Sequence, residues 1–233
     1  MAGTRRALTG EALEIDHIVR TALELLDQVG LDGLSMRHLA DRLGIRAATV
    51  YWYVRDKHAL LSLIADAICA EIQPPDPTAP WSARLEALMG EYRRVLLRHR
   101  DAAHVLAATP PAGAARLRLV DISLGAVLDA GFKASDATRA GRLLVDYTTG
   151  FVQEEYIAAA RPSSPTNAAD AQRLPTIAHL EPEAYPHIAE LRPYLIDRDG
   201  DARFAFGLRV ILNGLEQHPA RRYGSLRAHA RDE

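Results

Sequence analysis

No proline occurs among the first 73 residues; all 13 lie at or beyond Pro74. Proline removes a backbone donor and clashes with the preceding helical turn, so a long stretch without it is open to continuous helix. The apolar spacing uses that freedom. Over residues 11–29, Ile15, Ile18, Ala22, Leu25, Leu26 and Val29 fall on one helical face. Gly30 is the expected stop and Gly33 a second turn residue. Ser35 is placed to cap a short helix to about Leu43, ended by Gly44, and Arg46 to Tyr53 reads as another. Asp56 is the expected N-cap of a longer helix through about Ile72.

Pro74, Pro75, Pro77 and Pro80 mark a junction before Trp81. Beyond it the helical period resumes over roughly 81–99, 101–108, 113–130, 135–160, 183–191 and 201–217. Pro110–Pro111, Gly131 and Gly200 punctuate these segments, and no alternating strand pattern competes. Residues 161–178 lack apolar periodicity and read as a loop, and the arginine-rich stretch after Pro219 as a flexible tail. The expectation is an all-α chain with a three-helix helix-turn-helix domain over 1–73. A helical-bundle domain over 74–218 and a tail over 219–233 follow it.

The stretch Leu34 to Lys57, LSMRHLADRLGIRAATVYWYVRDK, carries the chemistry. Two helices crossing at a tight turn need a small residue at the crossing, a glycine in the turn and an apolar anchor on the second helix. Ala40, Gly44 and Val50 fill those positions, with Leu39, Leu43 and Ile45 expected to pack inward. With Val50 inward, Arg46, Ala47, Thr49, Tyr51 and Tyr53 face outward, a surface able to enter a major groove. Arg37 and Lys57 flank it as phosphate or base contacts. The alternative is a structural helix-turn-helix with no role on DNA.

Charge separates these readings. The formal net charge of −2 speaks mildly against nucleic acid. By segment it is −3 over residues 1–35, +3 over 36–57 and −2 over 58–233. The positive block coincides with the helix-turn-helix, where a phosphate backbone would lie.

Other chemistries are poorly supplied. Cys69 is the one cysteine, which excludes an internal disulfide and any multi-cysteine metal site. Glu14 and His17 have the spacing of a di-iron carboxylate pair, but no second Glu-x-x-His occurs. His99 and His104, five apart, are badly placed to share a metal on one helix face. No phosphate-binding glycine loop or nucleophile elbow is present. The expectation is no enzyme, no cofactor and no metal, with a helical metal-carboxylate enzyme as the weakest alternative. No apolar stretch reaches the ~18–20 residues of a membrane span, and Met1 to Glu11 lacks the apolar core of a secretory signal. A cytoplasmic protein without membrane partners is expected.

Near the C-terminus Phe204, Gly207, Ile211 and Gly214 alternate large and small at spacings of 3 and 4, with Leu208, Leu212 and Leu215 adjoining. Such a stripe admits another helix closely, from the same chain or from a second copy. Ala140, Leu144, Thr148 and Phe151 offer a similar face. Four helices, two from each subunit, would then form a dimer interface. A symmetric dimer would present two recognition helices ~34–36 Å apart, which implies a palindromic site.

The run AATVYWYVRDKHALL, preceded by the helix ending Leu-Asp-Gln-Val-Gly-Leu-Asp-Gly-Leu-Ser, strongly resembles the DNA-binding domain of the tetracycline-repressor (TetR) family. LLRHRDAAHVLAATPP (96–111), AGFKASDA (130–137) and RFAFGLRVILNGLEQ (203–217) look like stretches of a tetracycline-repressor-like effector domain. The resemblance covers about residues 13–217 and is weakest over 161–180. It implies a homodimeric repressor released from double-stranded operator DNA by a small-molecule effector. Carried over by position, it implies operator contacts at Arg37, Ala47, Ala48, Thr49, Tyr51, Trp52, Tyr53 and Lys57. Ala47, Ala48 and Tyr53 depart from the tetracycline repressor's residue types, so a different operator sequence is expected.

The same carry-over nominates Leu88, Tyr92, Leu106, Thr109, Ser123, Thr138 and Glu154 for the effector site, with core packing as the alternative. Leu106 and Leu88 stand where the tetracycline-binding members use histidine and asparagine, and another histidine site falls near Gln73. Glu154 sits at an acidic magnesium-shell position but lacks the histidine partner. The expected effector is therefore larger or more hydrophobic than magnesium–tetracycline. A ligand-binding dimeric scaffold with a vestigial helix-turn-helix remains the second reading.

Overall fold

The computed structural model describes residues 15–159, 180–195 and 199–218. Among them, every regular element is helical. The chain clusters into two compact units, one of residues up to Glu71 with Arg98–Leu117, the other of Ile72–Leu97 with residues from Arg118 onward. The 161–178 loop, the tail after Pro219 and Glu14 lie outside the described residues.

The first unit opens with α1 (Ile15–Gly33), which buries Ile18, Ala22, Leu25 and Leu26. Ile15, at its first residue, is exposed, and Val29 is only half-buried. The stop expected at Gly30 is a kink within α1, at φ 73° and ψ 177°. Two causes hold a glycine there. The backbone is left-handed, and a Cβ would meet Arg100 Nε at 2.8 Å and Asp101 Oδ2 at 2.9 Å.

Next come α2 (Met36–Leu43), α3 (Ala47–Tyr53) and α4 (Lys57–Ala70). Ser35 Oγ accepts from the His38 N–H at 3.1 Å to start α2, and Gly44 ends it at φ 69°. Asp56 Oδ1 accepts from the Ala59 N–H at 2.8 Å to start α4. That bond, with Arg55 beside it, holds the Asp56 carboxyl below its ordinary pKa. Helix α4 packs on α1 and on α6 (Ala102–Ala108), burying Leu60, Ile64 and Ile68. Cys69 lies in this core, where burial pushes its thiol up to about 12.

Asp66 and Arg116 close the α6 side of the unit. Asp66 Oδ1 accepts from the Arg116 N–H at 2.8 Å. The Arg116 guanidinium donates to the carbonyls of Leu106 at 2.7 Å and Pro110 at 3.2 Å, which caps the end of α6.

The second unit holds α5 (Trp81–Arg98) up to Leu97, most of α7 (Ala114–Asp129), α8 (Ala134–Ala159), α9 (Pro186–Leu191) and α10 (Gly200–Gln217). Its core includes Leu85, Leu88, Val95, Val127, Leu144, Val152 and Leu208. Helix α8 packs along α10. There Tyr147 stacks on Phe204 at 5.5 Å between ring centroids and donates its hydroxyl to the Phe204 carbonyl at 2.9 Å. A Cβ at Gly207 would overlap the Tyr147 ring, so glycine sets this close crossing.

Arg93 ties α5 into the pair. Its guanidinium grips Glu155 with bonds of 2.5 and 2.8 Å, reaches Asp201 at 2.7 Å and lies 5.0 Å from the Phe204 ring centroid. Glu155 and Asp201 hold the Arg93 pKa above its ordinary value.

Candidate nucleic-acid interface and effector core

Helix α3 has seven residues and one buried side chain, Val50, which is fully enclosed. Ala40 is buried on α2, and the Ile45 N–H bonds the Ala40 carbonyl at 3.1 Å across the turn. Leu39 is buried, whereas Leu43 and Ile45 are only half-buried, short of the inward packing expected of them. A seven-residue helix is too short to hold itself in water; Val50 and this turn fix its orientation.

The outer face of α3 is aromatic. Trp52 is 88% exposed, with Tyr51 at 51% and Tyr53 at 43%. A solvent-facing indole flanked by two phenols gains nothing for the isolated chain, and large exposed apolar groups in one patch mark contact surfaces. Arg46 and Ala48 are exposed beside them, and Ala47 and Thr49 are half-buried.

The five basic groups of the segment are disposed differently. Arg42 donates to Gln28 at 2.8 Å, Arg55 to Asp56 at 2.8 Å, and Lys57 Nζ to the Leu31 carbonyl at 3.0 Å. The side chains of Arg37 and Arg46 are exposed and carry no ion pair or hydrogen bond among the described residues. Their whole donor sets are open to a phosphate or a base edge. Through the Leu31 carbonyl, Lys57 sits in the last turn of α1, a placement that favours a cation there.

The residues nominated for an effector are distributed unevenly. In the second unit Leu88, Tyr92 and Ser123 are buried. The Tyr92 hydroxyl lies 3.2 Å from Thr149 Oγ1 in the interior. Ser123 Oγ has no hydrogen-bond partner among the described residues, a costly state for an enclosed hydroxyl. Thr138 is exposed and returns its hydroxyl to the Ser135 carbonyl. Glu154 is exposed and accepts from Arg203 at 3.2 Å. In the first unit Leu106 and Thr109 are buried, and Thr109 Oγ1 donates to the Val105 carbonyl and accepts from Arg116, both at 2.8 Å.

Of the nominated dimer residues, Ala140, Leu144, Thr148, Phe204, Leu208 and Leu215 are buried inside the protomer. Phe151, Gly207 and Ile211 are half-buried and Gly214 is exposed. The large apolar groups that α8 and α10 leave exposed are Leu143, Ile157, Phe206 and Val210, with Phe206 at 71%. Spacing alone does not single these out, because both faces of α10 carry apolar residues at helical intervals.

Among the described residues, no group of three or more His, Cys, Asp or Glu side chains could hold a metal ion. No helix is long and apolar enough to cross a membrane.

Known proteins bear on this geometry. Residues 18–64 match the family model for bacterial regulatory proteins of the tetR family. Residues 73–218 match the model for the tetracyclin repressor-like C-terminal domain. The class C tetracycline repressor protein of Escherichia coli is 34% identical over 213 residues, which covers 88% of this chain and 91% of that protein. An HTH-type transcriptional regulator of Saccharopolyspora erythraea is 34% identical over 212 residues, covering 91% and 88%. The crystal structure of the Streptomyces coelicolor TetR family protein ActR in complex with actinorhodin superposes with a TM-score of 0.79 at 30% identity, over 87% of this chain and 95% of that one. Regulators of this kind are generally non-enzymatic. With both family models matched and a relative 34% identical over most of its length, the chain belongs to the TetR family of DNA-binding, ligand-responsive transcriptional regulators.

Proposed function

We propose that the protein is a cytoplasmic homodimeric repressor that leaves a palindromic operator when a small, largely apolar effector binds. The observation that carries the operator reading is the exposed Tyr51–Trp52–Tyr53 face on a helix pinned by Val50. Arg37, Arg46, Ala47, Ala48, Thr49, Tyr51, Trp52, Tyr53 and Lys57 make up the DNA-facing surface. The aromatic and methyl groups read base edges and the arginines hold phosphates or guanine.

The dimer face is centred on Phe206, Val210 and Gly214 of α10 and on Leu143 and Ile157 of α8. Phe151, Gly207 and Ile211 lie at its margin. Ala140, Leu144, Thr148, Phe204, Leu208 and Leu215 back it from inside the protomer. Within the second unit, Leu88 takes the effector's body and Tyr92 and Ser123 orient it. Glu154 and Thr138, at the surface, admit it.

Helix α4 is the lever. It starts at Lys57, beside the recognition segment, and ends at Ala70, where the chain passes toward the second unit. An effector that favours one spacing of the two recognition helices and an operator that favours another must weaken each other by the same factor.

The test uses a palindromic duplex from the gene's own flanking DNA, titrated by fluorescence anisotropy at several salt concentrations. Specific binding is expected, with an affinity that falls steeply as salt rises. Arg46→Ala should flatten the log–log salt slope by about one, the share of a single neutralised phosphate. Absence of salt-dependent binding would favour the dimeric scaffold reading. Calorimetry with tetracycline and magnesium is expected to show no micromolar binding.

A further inference from the structure

Within the second unit, two residues meet where α7 passes α8, and each is unfavourable for the fold taken alone. Ser123, on the buried face of α7, is 3% exposed, and its Oγ has no hydrogen-bond partner among the described residues. A serine or threonine inside a helix can return its hydroxyl to the carbonyl one turn back, as Thr148 does to Leu144 at 2.9 Å. Ser123 does not, and an enclosed hydroxyl left without a partner destabilises the folded chain. Gly141, also buried, lies inside α8. Glycine is a poor helix former, and the crossing does not call for it. The Gly141 backbone is ordinary helix, and a Cβ there would stand 3.4 Å from Leu124 Cδ2 and 3.5 Å from Ser123 Oγ, both ordinary van der Waals contacts. Gly207 is the contrast, since its Cβ would overlap Tyr147.

The two features share one spot: α7 and α8 leave room for a methyl-sized group beside Gly141, and the Ser123 hydroxyl forms one wall of it. The surroundings select what can enter. The polar side chains buried in this unit are hydroxyls, with Tyr92 lying 3.2 Å from Thr149 Oγ1 and Thr148 bonded to Leu144. No ionised side chain is buried there among the described residues. A charge brought in would lose its hydration and find no counter-charge. An uncharged oxygen escapes that penalty. Buried donors are left without partners less often than acceptors, so the O–H of Ser123 is the half that most needs one.

We propose that Ser123 and Gly141 form the polar end of a ligand subsite for the carbonyl group of an uncharged, mostly apolar effector. The Ser123 hydroxyl donates to the carbonyl oxygen, and Gly141 leaves the space that this oxygen occupies. The bound state then removes both unfavourable features at once. This inference rests on the effector reading above and narrows it to neutral carbonyl compounds, setting aside carboxylates and amines.

Two measurements on the full chain test it. The first needs no ligand. Ser123→Ala removes the unpartnered hydroxyl and Gly141→Ala fills the space with a better helix former, so each should raise the urea midpoint at unchanged slope. Residues kept for packing would do the reverse, and a lowered midpoint in either variant would overturn the subsite. The second uses two fluorescent probes: Nile red, uncharged with a ring carbonyl, and the anion 8-anilinonaphthalene-1-sulfonate. Nile red should bind the wild type saturably and each variant about fivefold more weakly, the size of one net hydrogen bond between neutral groups. The sulfonate should bind at least about tenfold more weakly than Nile red, as an unpaired charge in this interior would, and be indifferent to both substitutions. Absence of Nile red binding, or equal affinity in all three proteins, would overturn the proposal. The flanking-DNA palindrome separates it from the effector reading. Nile red that needs both residues yet leaves the duplex bound keeps the subsite and refutes release by an effector there. Nile red that releases the duplex equally from the wild type and both variants keeps the effector reading and refutes the subsite.

Discussion

Val50 and Trp52 sit two residues apart on α3 and have opposite work. Val50 is fully buried, so Val50→Ala should cost about 1–2 kcal/mol in chemical denaturation through reduced burial and a partial cavity. Trp52 is almost wholly solvated, so Trp52→Ala should change stability by less than about 0.5 kcal/mol while abolishing tight operator binding. The glycines make a second contrast. Gly44 has a left-handed backbone with open space around it, and Gly30 has a left-handed backbone pressed against Arg100 and Asp101. Gly44→Ala should cost about 1 kcal/mol, and Gly30→Ala about 2 kcal/mol or more, read as urea midpoints at unchanged slope.

Among the elements, local signals were the legible ones. Ser35, Gly44 and Asp56 act within four residues of themselves, so the starts and stops they mark follow from residue type alone. Asp56 offers a pH test of that kind. Its carboxyl is held below its ordinary value of 3.8 by the Ala59 N–H and by Arg55. The stabilisation is in place above that ordinary value and is lost as pH falls through the lower folded one. Asp56→Asn keeps a cap but not the charge, and should flatten the acid limb of the unfolding curve.

Interactions between distant residues were not legible. Arg93 meets Glu155 and Asp201 across sequence separations of 62 and 108, and no spacing rule reaches that far. Arg93→Met should cost about 2 kcal/mol or more, because it takes the bidentate cation from the largely enclosed Glu155, whereas Asp201 stays in water. The α10 stripe failed differently. Phe204, Leu208 and Leu215 on one side and Phe206 and Val210 on the other are both apolar at helical spacing. The stacking of Tyr147 on Phe204 decides which side faces inward, and periodicity cannot see it.

At the scale of the molecule, the exposed Phe206 and Val210 should hold two protomers together. Val210→Asp is expected to give monomers in sedimentation, with no tight binding to a palindrome while each protomer keeps its helical circular dichroism. The division of the chain carries a further consequence, for recombination. The first unit is discontinuous: residues up to Glu71 are completed by Arg98–Leu117, which supply α6 and the turn that docks on Gly30. A chimaera joined at the proline-rich junction near residue 74 would exchange α6 along with the effector half. Its donor would have to provide an α6 shaped for this α4 and a turn that accepts this kink. Reading-head swaps should therefore succeed when the donor matches at 98–117 and fail when only the residues before the junction are considered. On the ribosome the same rule sets a sequence of events, since the DNA-reading half cannot close its core until α5 has already emerged.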